Sequence, residues 1–459
     1  MGRIRIPKVR ILPRPAAART GSEPGTARRK GATPMNTPPT HTPRTPDRPR
    51  RVLISGASIA GPTLAYWLDR YGFEVTVVEK AGAVRGGGYP IDIRGTAREV
   101  VDRMGLLPRL REVHVENEKV TFLDAAGATV GSVRPEQMTG GEPGLDLEIR
   151  RGDLADALYA PLRGRVEFLF EDSIATLDDD GDAVHIVLDS GIRRTYDLVI
   201  GADGLHSNTR RLVLGPEEPF HHYLGHVFAG FTLPNEFGLA HEAAIWNEPG
   251  RGAVIYAHAP SDPVHGFLTF TRDTPPFDAF RDPRAQRDLV AERFPEQVWH
   301  LPRLVEAMRD ADDLFCDIVS QIRLHTWSKG RVALAGDAAH ATSFLSGQGS
   351  SVALVGAYVL AGELATHADH TEAFAAYERL VRPFAERNQA LAGSGGTMVT
   401  PTTREVLEAR NALLRDPEAL ARTMATTDAE ERRVTHSALT LPDYAAAARP
   451  FRRPRGRRV

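Results

Sequence analysis

Between residues 51 and 80 the hydrophobic pattern changes period twice. Val52, Leu53 and Ile54 form a short uninterrupted apolar run, the pattern of a strand buried on both faces. From about Pro62 to Tyr71 the apolar positions Leu64, Ala65 and Leu68 recur at helical spacing. Gly72 stops that pattern, and "FEVTVVEK" returns to strand character. Strand, turn, helix, turn and strand within about 30 residues is the size of a right-handed crossover.

Two later runs, "YDLVIGADG" (196–204) and "GRVALAGDAAH" (330–340), also read as strands that end in turns, and the second leads into a helical stretch from about Gly349 to Leu364. Between them, residues 216–315 carry alternating segments such as "HVFAGFTL", "GAVIYAHA" and "HGFLTFTR", the mark of antiparallel strands, and "VTFLDAAGATVGSV" (120–133) belongs with them. Residues 372–392 read as a helix, and no internal repeat is visible.

The expected fold is therefore α/β: a Rossmann-like nucleotide-binding domain on a parallel sheet, with an inserted antiparallel sheet that roofs a pocket. The divided pattern assigns 51–119, 145–215 and 316–395 to the nucleotide domain and 120–144 with 216–315 to the substrate domain. Residues 396–459 form a C-terminal helical region with a basic tail.

Composition narrows the setting. The 459 residues are 42% hydrophobic and 25% charged, an ordinary globular balance, and no run approaches 18 uninterrupted apolar residues, so no membrane association is expected. The single cysteine, Cys316, excludes a disulfide within the chain and a thiolate-rich metal site, and it suits a reducing compartment. Net charge is −2, yet residues 1–51 hold 13 Lys/Arg against only Glu23 and Asp47, a local excess of +11 that leaves −13 for the rest. Residues 1–50 are Pro- and Arg-rich and lack interleaved aromatics, so they read as a disordered, solvated leader rather than a nucleic-acid arm. Met35 is an alternative start, and no apolar core of a secretory signal precedes a cleavage site; the expected location is the cytoplasm.

The turn "GASIAG" carries the first chemistry. Amides at a helix N-terminus, aided by the helix dipole, receive a pyrophosphate without a cationic side chain. Gly56 permits the tight turn, and Gly61 lets helix and strand approach. Ser58 stands where the second glycine of the fingerprint belongs, and its small hydroxyl can donate to a phosphate oxygen. Glu79, with Lys80 beside it, ends the second strand, where a carboxylate accepts from ribose hydroxyls and repels a 2′-phosphate.

Three further stretches follow in order. "DLVIGADGLHSNTRR" resembles a D-G-x-x-S-x-x-R motif through Asp203, Gly204, Ser207 and Arg210. "GRVALAGDAAH" resembles a G-D motif through Gly336, Asp337 and His340, and "SGQGSSVAL" resembles a flavin-facing glycine loop. Together with the first turn, these resemble the class A FAD-dependent aromatic monooxygenases of the p-hydroxybenzoate hydroxylase-like fold. The closest likeness is to tetracycline-inactivating and polyketide-tailoring members, over roughly residues 51–395.

The resemblance implies FAD as cofactor, with NAD(P)H as co-substrate, and O2 and an aromatic small molecule as further reactants. It implies hydroxylation through a flavin C4a-hydroperoxide, with no protein side chain as catalyst and no metal. It also implies that Asp337 accepts from a ribityl or ribose hydroxyl and that Gly347 and Gly349 bring backbone to the flavin ring. Arg151, in "EIRRGDLADAL", matches the arginine that reaches the cofactor, although Arg150 adjoins it. Asp203 supports the cofactor domain, and Arg85 and Asp92, in "VRGGGYPIDIRG", fall in a flavin-contacting loop. One departure is clear: Ser343 and Phe344 stand where prolines are expected before G-Q-G, which alters the ring environment.

The antiparallel segments offer Phe228, Phe231, Trp246, Tyr256, His258 and Phe270 as lining for a flat, apolar substrate. Among these, Phe228, Trp246 and Tyr256 are the leading substrate contacts. The block "HHYLGH" (221–226) reads as surface histidines rather than metal ligands. Two alternatives share the cofactor: a FAD-dependent reductase or epoxidase of the same fold, and a nonenzymatic FAD-bound binding protein. The oligomeric state is not legible.

Overall fold

A computed structural model describes residues 48–84, 90–115, 117–135, 137, 144–279, 282–424 and 428–447. Its centre is a six-stranded sheet in the order Ser328–Lys329, Val332–Leu334, Leu198–Gly201, Arg51–Ser55, Glu74–Glu79, Glu167–Phe170. All neighbours are parallel except the two-residue edge strand Ser328–Lys329. The apolar run 52–54 is central, which is why it shows no alternation. Val52 and Ile54 face helices Ala60–Arg70 and Gly349–Thr366 through Leu64, Leu68, Val355 and Leu360. Leu53 faces the other way, with Val199 and Val332, onto Ile174, Ile186 and Leu188 of a three-stranded antiparallel sheet.

The second large unit is a seven-stranded sheet ordered Phe315–Ile322, His221–Leu233, Val264–Thr271, Arg251–Ala257, Glu242–Glu248, Lys119–Leu123, Thr129–Val133. Its pairs are antiparallel except Glu242–Glu248 with Lys119–Leu123. Phe315–Ile322 hydrogen-bonds along His221–Leu233, so the chain leaves this sheet directly into the strand that precedes the G-D motif. One face packs on helices Pro283–Ala291 and Leu301–Asp310.

Gly349–Thr366 has 18 residues and a mean hydropathy of 1.3, enough in length and composition to cross a bilayer, but 78% of it is buried inside the protein as the core helix of the nucleotide unit. Helix His370–Ala390 covers it in turn. The C-terminal segment first packs helix Arg404–Arg415 on Thr129–Val133, with Leu414 joining Val130 and Val133, and then returns to the nucleotide unit. There Thr96 Oγ1 donates to Leu439 O at 2.7 Å and the Tyr444 hydroxyl donates to Glu363.

Candidate active site

The first strand ends at Gly56, whose φ of +106° belongs to glycine and whose added Cβ would lie 2.4 Å from Ala202 O. At Gly61 a Cβ would lie 1.9 Å from Gly56 O, so the helix could not start so close to the turn with any other residue. Glu79 clasps this turn from the next strand: its Oε2 accepts from Ala57 N at 2.8 Å and its Oε1 from Ala81 N at 2.9 Å. Arg151 opens helix Arg151–Tyr159, and its Nη2 donates to Ser58 Oγ at 2.7 Å. The hydroxyl proton of Ser58 remains available to an anion.

Arg151 also links the turn to the G-D motif. The Asp337 side chain is accessible to solvent, yet surrounding protein raises its pKa, an effect that the charge of Arg151 opposes. A group both reachable and hemmed in lies on the wall of a cleft. Asp337 Oδ1 is 3.8 Å from where a Cβ on Gly349 would sit, so no side chain intervenes between the carboxylate and the start of the core helix. Across the loop, Gly347 (φ +65°) faces Asp92, whose Oδ2 is 3.6 Å from the corresponding point. Asp92 is held by Arg94 at 2.7 Å, and its backbone carbonyl accepts from Ser351 Oγ at 3.2 Å.

Thus Glu79, Ser58, Arg151, Asp337, Gly349, Gly347 and Asp92 form one continuous track. Lys80 is exposed just beyond it. Arg85 lies outside the described residues. Asp203 turns inward: its oxygens accept from Ser207 Oγ, from Thr209 N and Thr209 Oγ1 (both at 2.8 Å), and from Ser55 Oγ at 3.3 Å. It fastens helix Asn208–Leu214 to the first strand. His340 is buried beside Trp327, with Nε2 3.3 Å from the Tyr377 hydroxyl, and burial lowers its pKa to about 4, so it is a neutral packing group.

The free face of the seven-stranded sheet meets this track. Phe228, Tyr256, Phe267 and Val319 form one cluster, with Leu345 of the glycine loop packed against it. Tyr256 stacks on Phe267 at 6.0 Å, and Phe344 stacks on Phe228 at 4.9 Å. His258 lies on the same face, 5.3 Å from Tyr256. The residue is only 6% exposed, and neither ring nitrogen has a hydrogen-bond partner among the described residues. Burial, then the nearby His265 and Arg150, lowers its pKa to about 4.

Trp246 corrects the sequence expectation. It points to the opposite, helix-covered face, is 0% exposed, packs in one core with Leu301, Leu304 and Met308, and donates through Nε1 to Ala125 O at 3.2 Å. Phe231 and Phe270 lie in that same core. The reason is strand periodicity: residues of one parity face the helices and the other parity the cleft. Phe267, in the strand "HGFLTFTR", belongs to the cleft face although the sequence reading does not single it out; its opposite parity to the core residue Phe270 is the signal that marks it. Gln348 was also missed; it is buried between the two loop glycines, with Oε1 lacking a hydrogen-bond partner among the described residues.

Beside the site, His206 Nδ1 lies 2.9 Å from Glu217 and Nε2 2.9 Å from Asp317, while His221 Nε2 lies 3.3 Å from Glu217. Arg210 is 3.6 Å from the same Glu217 oxygen. Burial disfavours charge on His206, but the two carboxylates outweigh it and raise its pKa to about 9, so this is an ion-pair network between the two units.

A turn that excludes Cβ atoms, an acidic group on a cleft wall and a buried amide oxygen at a helix N-terminus with no partner among the described residues fit a phosphate-bearing, ring-bearing cofactor. Known proteins agree. The family described as FAD binding domain matches residues 50–392. The uncharacterized protein Rv1260 of Mycobacterium tuberculosis is 42% identical over 361 residues, covering 78% of this chain and 97% of its own length. A flavin-dependent monooxygenase from an unknown prokaryotic organism is 39% identical over 74% of this chain and 88% of its own. Among solved structures, the tetracycline destructase Tet(55) superimposes with a TM-score of 0.73 at 34% identity, covering 87% of this chain and all of that one (100%). The chain described above belongs to the FAD-binding family of class A flavin-dependent monooxygenases.

Proposed function

We propose that this protein uses NAD(P)H and dioxygen to hydroxylate a flat aromatic or polyketide-like small molecule. The observation that carries this reading is the aromatic sheet face of Phe228, Tyr256 and Phe267, set against the loop that leads into Gly349. The likeness to a tetracycline destructase favours a fused-ring substrate.

In this reading the nucleotide unit holds FAD and the large antiparallel sheet roofs the substrate, as the division of the sequence expects. Gly56, Ser58, Gly61 and Arg151 receive the pyrophosphate, Glu79 the adenosine ribose, and Asp337 a ribityl hydroxyl. Gly347, Gly349 and Asp92 border the flavin ring. When bound, FAD supplies the redox chemistry that inserts one atom of dioxygen into the substrate. The N-terminus of helix Gly349–Thr366 favours negative charge at the adjoining ring edge. The aromatic face excludes water from the reacting centre. His258, neutral above about pH 4, offers one donor and one acceptor to substrate oxygen atoms.

The test is purification with FAD followed by NAD(P)H oxidation against a panel of phenols of one to several rings under isotopically labelled dioxygen. One labelled oxygen atom in an aromatic product is expected. NAD(P)H-dependent saturation of a double bond, epoxide formation, or tight binding of a compound without turnover would each replace this reading by a reductase, an epoxidase or a binding protein.

A further inference from the structure

The histidine block "HHYLGH" divides in the structure. His222 is exposed, as a surface histidine should be, but the side chain of His221 turns inward and is only 1% exposed. It meets His206 and Glu217, and three donor atoms, one from each residue, lie within 4.8 Å of one another. Glu217 Oε2 is the centre of the group, 2.9 Å from His206 Nδ1 and 3.3 Å from His221 Nε2. Around a tetrahedral zinc ion, with ligand atoms about 2.0–2.2 Å from the metal, neighbouring ligand atoms stand about 3.3 Å apart. The separations already in place are close to that.

The far side of each ring is settled as well. His206 Nε2 lies 2.9 Å from Asp317 Oδ1, and His221 Nδ1 lies 2.9 Å from Ser320 Oγ. Asp317 and Ser320 both belong to strand Phe315–Ile322. An acceptor on the outer N–H of an imidazole fixes the tautomer and leaves the other nitrogen's lone pair for an ion. The side chains of His206 and Glu217 are 38% and 26% exposed, which gives an ion and a coordinating water a way in. Arg210 Nη2, 3.6 Å from Glu217 Oε2, opposes a cation by its charge. It is held instead by backbone carbonyls, Leu205 O at 2.6 Å and, through Nη1, Ala338 O at 3.1 Å, so it lowers affinity without filling the position.

We propose that His206, Glu217 and His221 form a zinc site, completed by one water, that clasps the segment following the Asp203 motif to the large antiparallel sheet. Two imidazoles and a carboxylate suit Zn2+, whereas Mg2+ and Ca2+ take oxygen ligands. In the metal-free chain a proton on His206 holds the same groups together; Zn2+ takes its place, and the proton leaves to solvent. None of the three ligands belongs to the track assigned to the cofactor, so the ion is structural and the inference does not depend on the proposed reaction.

The experiment strips the FAD-loaded full-length protein with a chelator, dialyses it against micromolar zinc chloride, and measures bound zinc and the melting temperature. One zinc per chain, a higher melting temperature and no displacement by millimolar Mg2+ are expected. His221→Gln and Glu217→Gln should keep their flavin and bind zinc more than about 10-fold more weakly, since losing a ligand costs more than losing an outer partner. His222→Gln, which removes only the exposed neighbour, should match the parent. If His221→Gln fails to fold, Glu217→Gln decides, because Glu217 is partly exposed and the amide keeps its shape. A parent that retains no zinc, displacement by Mg2+, or parental zinc affinity in Glu217→Gln would overturn the site.

Discussion

Arg151 donates through Nη2 to Ser58 Oγ at 2.7 Å, and so a cation is delivered to the glycine turn at the position where the second glycine of the fingerprint is missing. In the proposed reading Ser58 would cost a bound pyrophosphate some room, and the guanidinium would offset that with charge. Arg151→Ala should therefore weaken FAD binding about tenfold, the range of one charge-assisted hydrogen bond. Ser58→Gly should have a smaller effect, because the arginine stays. Reconstitution of the apoprotein with FAD, followed by fluorescence, measures both; equal affinities in Arg151→Ala and the parent would refute the assignment.

Gly61→Ala places a methyl group 1.9 Å from Gly56 O, which backbone cannot tolerate without moving the helix from the turn. The expected result is destabilisation by at least about 1–3 kcal/mol and protein purified with little flavin. Thermal unfolding and the ratio of flavin to protein absorbance report it. A stable, yellow Gly61→Ala protein would mean the helix does not start where it is described.

The two faces of the large sheet should separate stability from binding. Trp246→Ala opens a cavity in the helix-covered core and should cost about 3–5 kcal/mol with no change in the substrate range of the surviving protein. Tyr256→Ala, on the cleft face, should raise KM for the aromatic substrate several-fold at a smaller loss of stability. The pair is checked by chemical denaturation and steady-state kinetics; the reverse pattern would invert the assignment of faces.

His206 supplies a pH dependence with a defined sign. Its pKa is raised from 6.5 to about 9 in the folded protein, so its stabilising contribution is complete below pH 6.5 and disappears as pH rises through 9. Solvent screening keeps that contribution small, about 1 kcal/mol or less. The melting temperature of the parent should decline across this window more than that of His206→Gln, which has no proton to lose. Parallel profiles would show that the network does not couple the two units.

The elements that sequence made legible are those whose pattern is local. The apolar run 52–54, the helical spacing that follows and Glu79 at the end of the next strand all meet in one turn, as their order implied. The helix begins two residues before the expected Pro62, at Ala60, because the backbone turns as soon as Gly56 allows it. What was not legible depended on register between distant strands. Trp246 and Tyr256 look alike as aromatic residues on alternating strands, and only the pairing of Ala243 with Tyr256 and of Trp246 with Ala253 reveals that they face opposite ways. Asp203 matched its motif, but nothing local announced that Ser207, Thr209 and Ser55 would all turn to its oxygens. The positive φ at Ser343 has no signature in the sequence beyond the missing proline.

The order of strands in the central sheet also governs how the chain is made. Leu198–Gly201 lies between Arg51–Ser55, which is synthesised early, and Val332–Leu334, which emerges nearly three hundred residues after that first strand. On the ribosome, Leu198–Gly201 therefore waits with one edge unpaired, and the apolar helix that must cover it follows later still. Non-local pairing of this kind makes assembly slow and leaves sticky surface uncovered in the interval. A nascent chain halted before residue 332 should stay sensitive to protease and engaged by chaperones, and its release should depend on the last third of the molecule rather than the first.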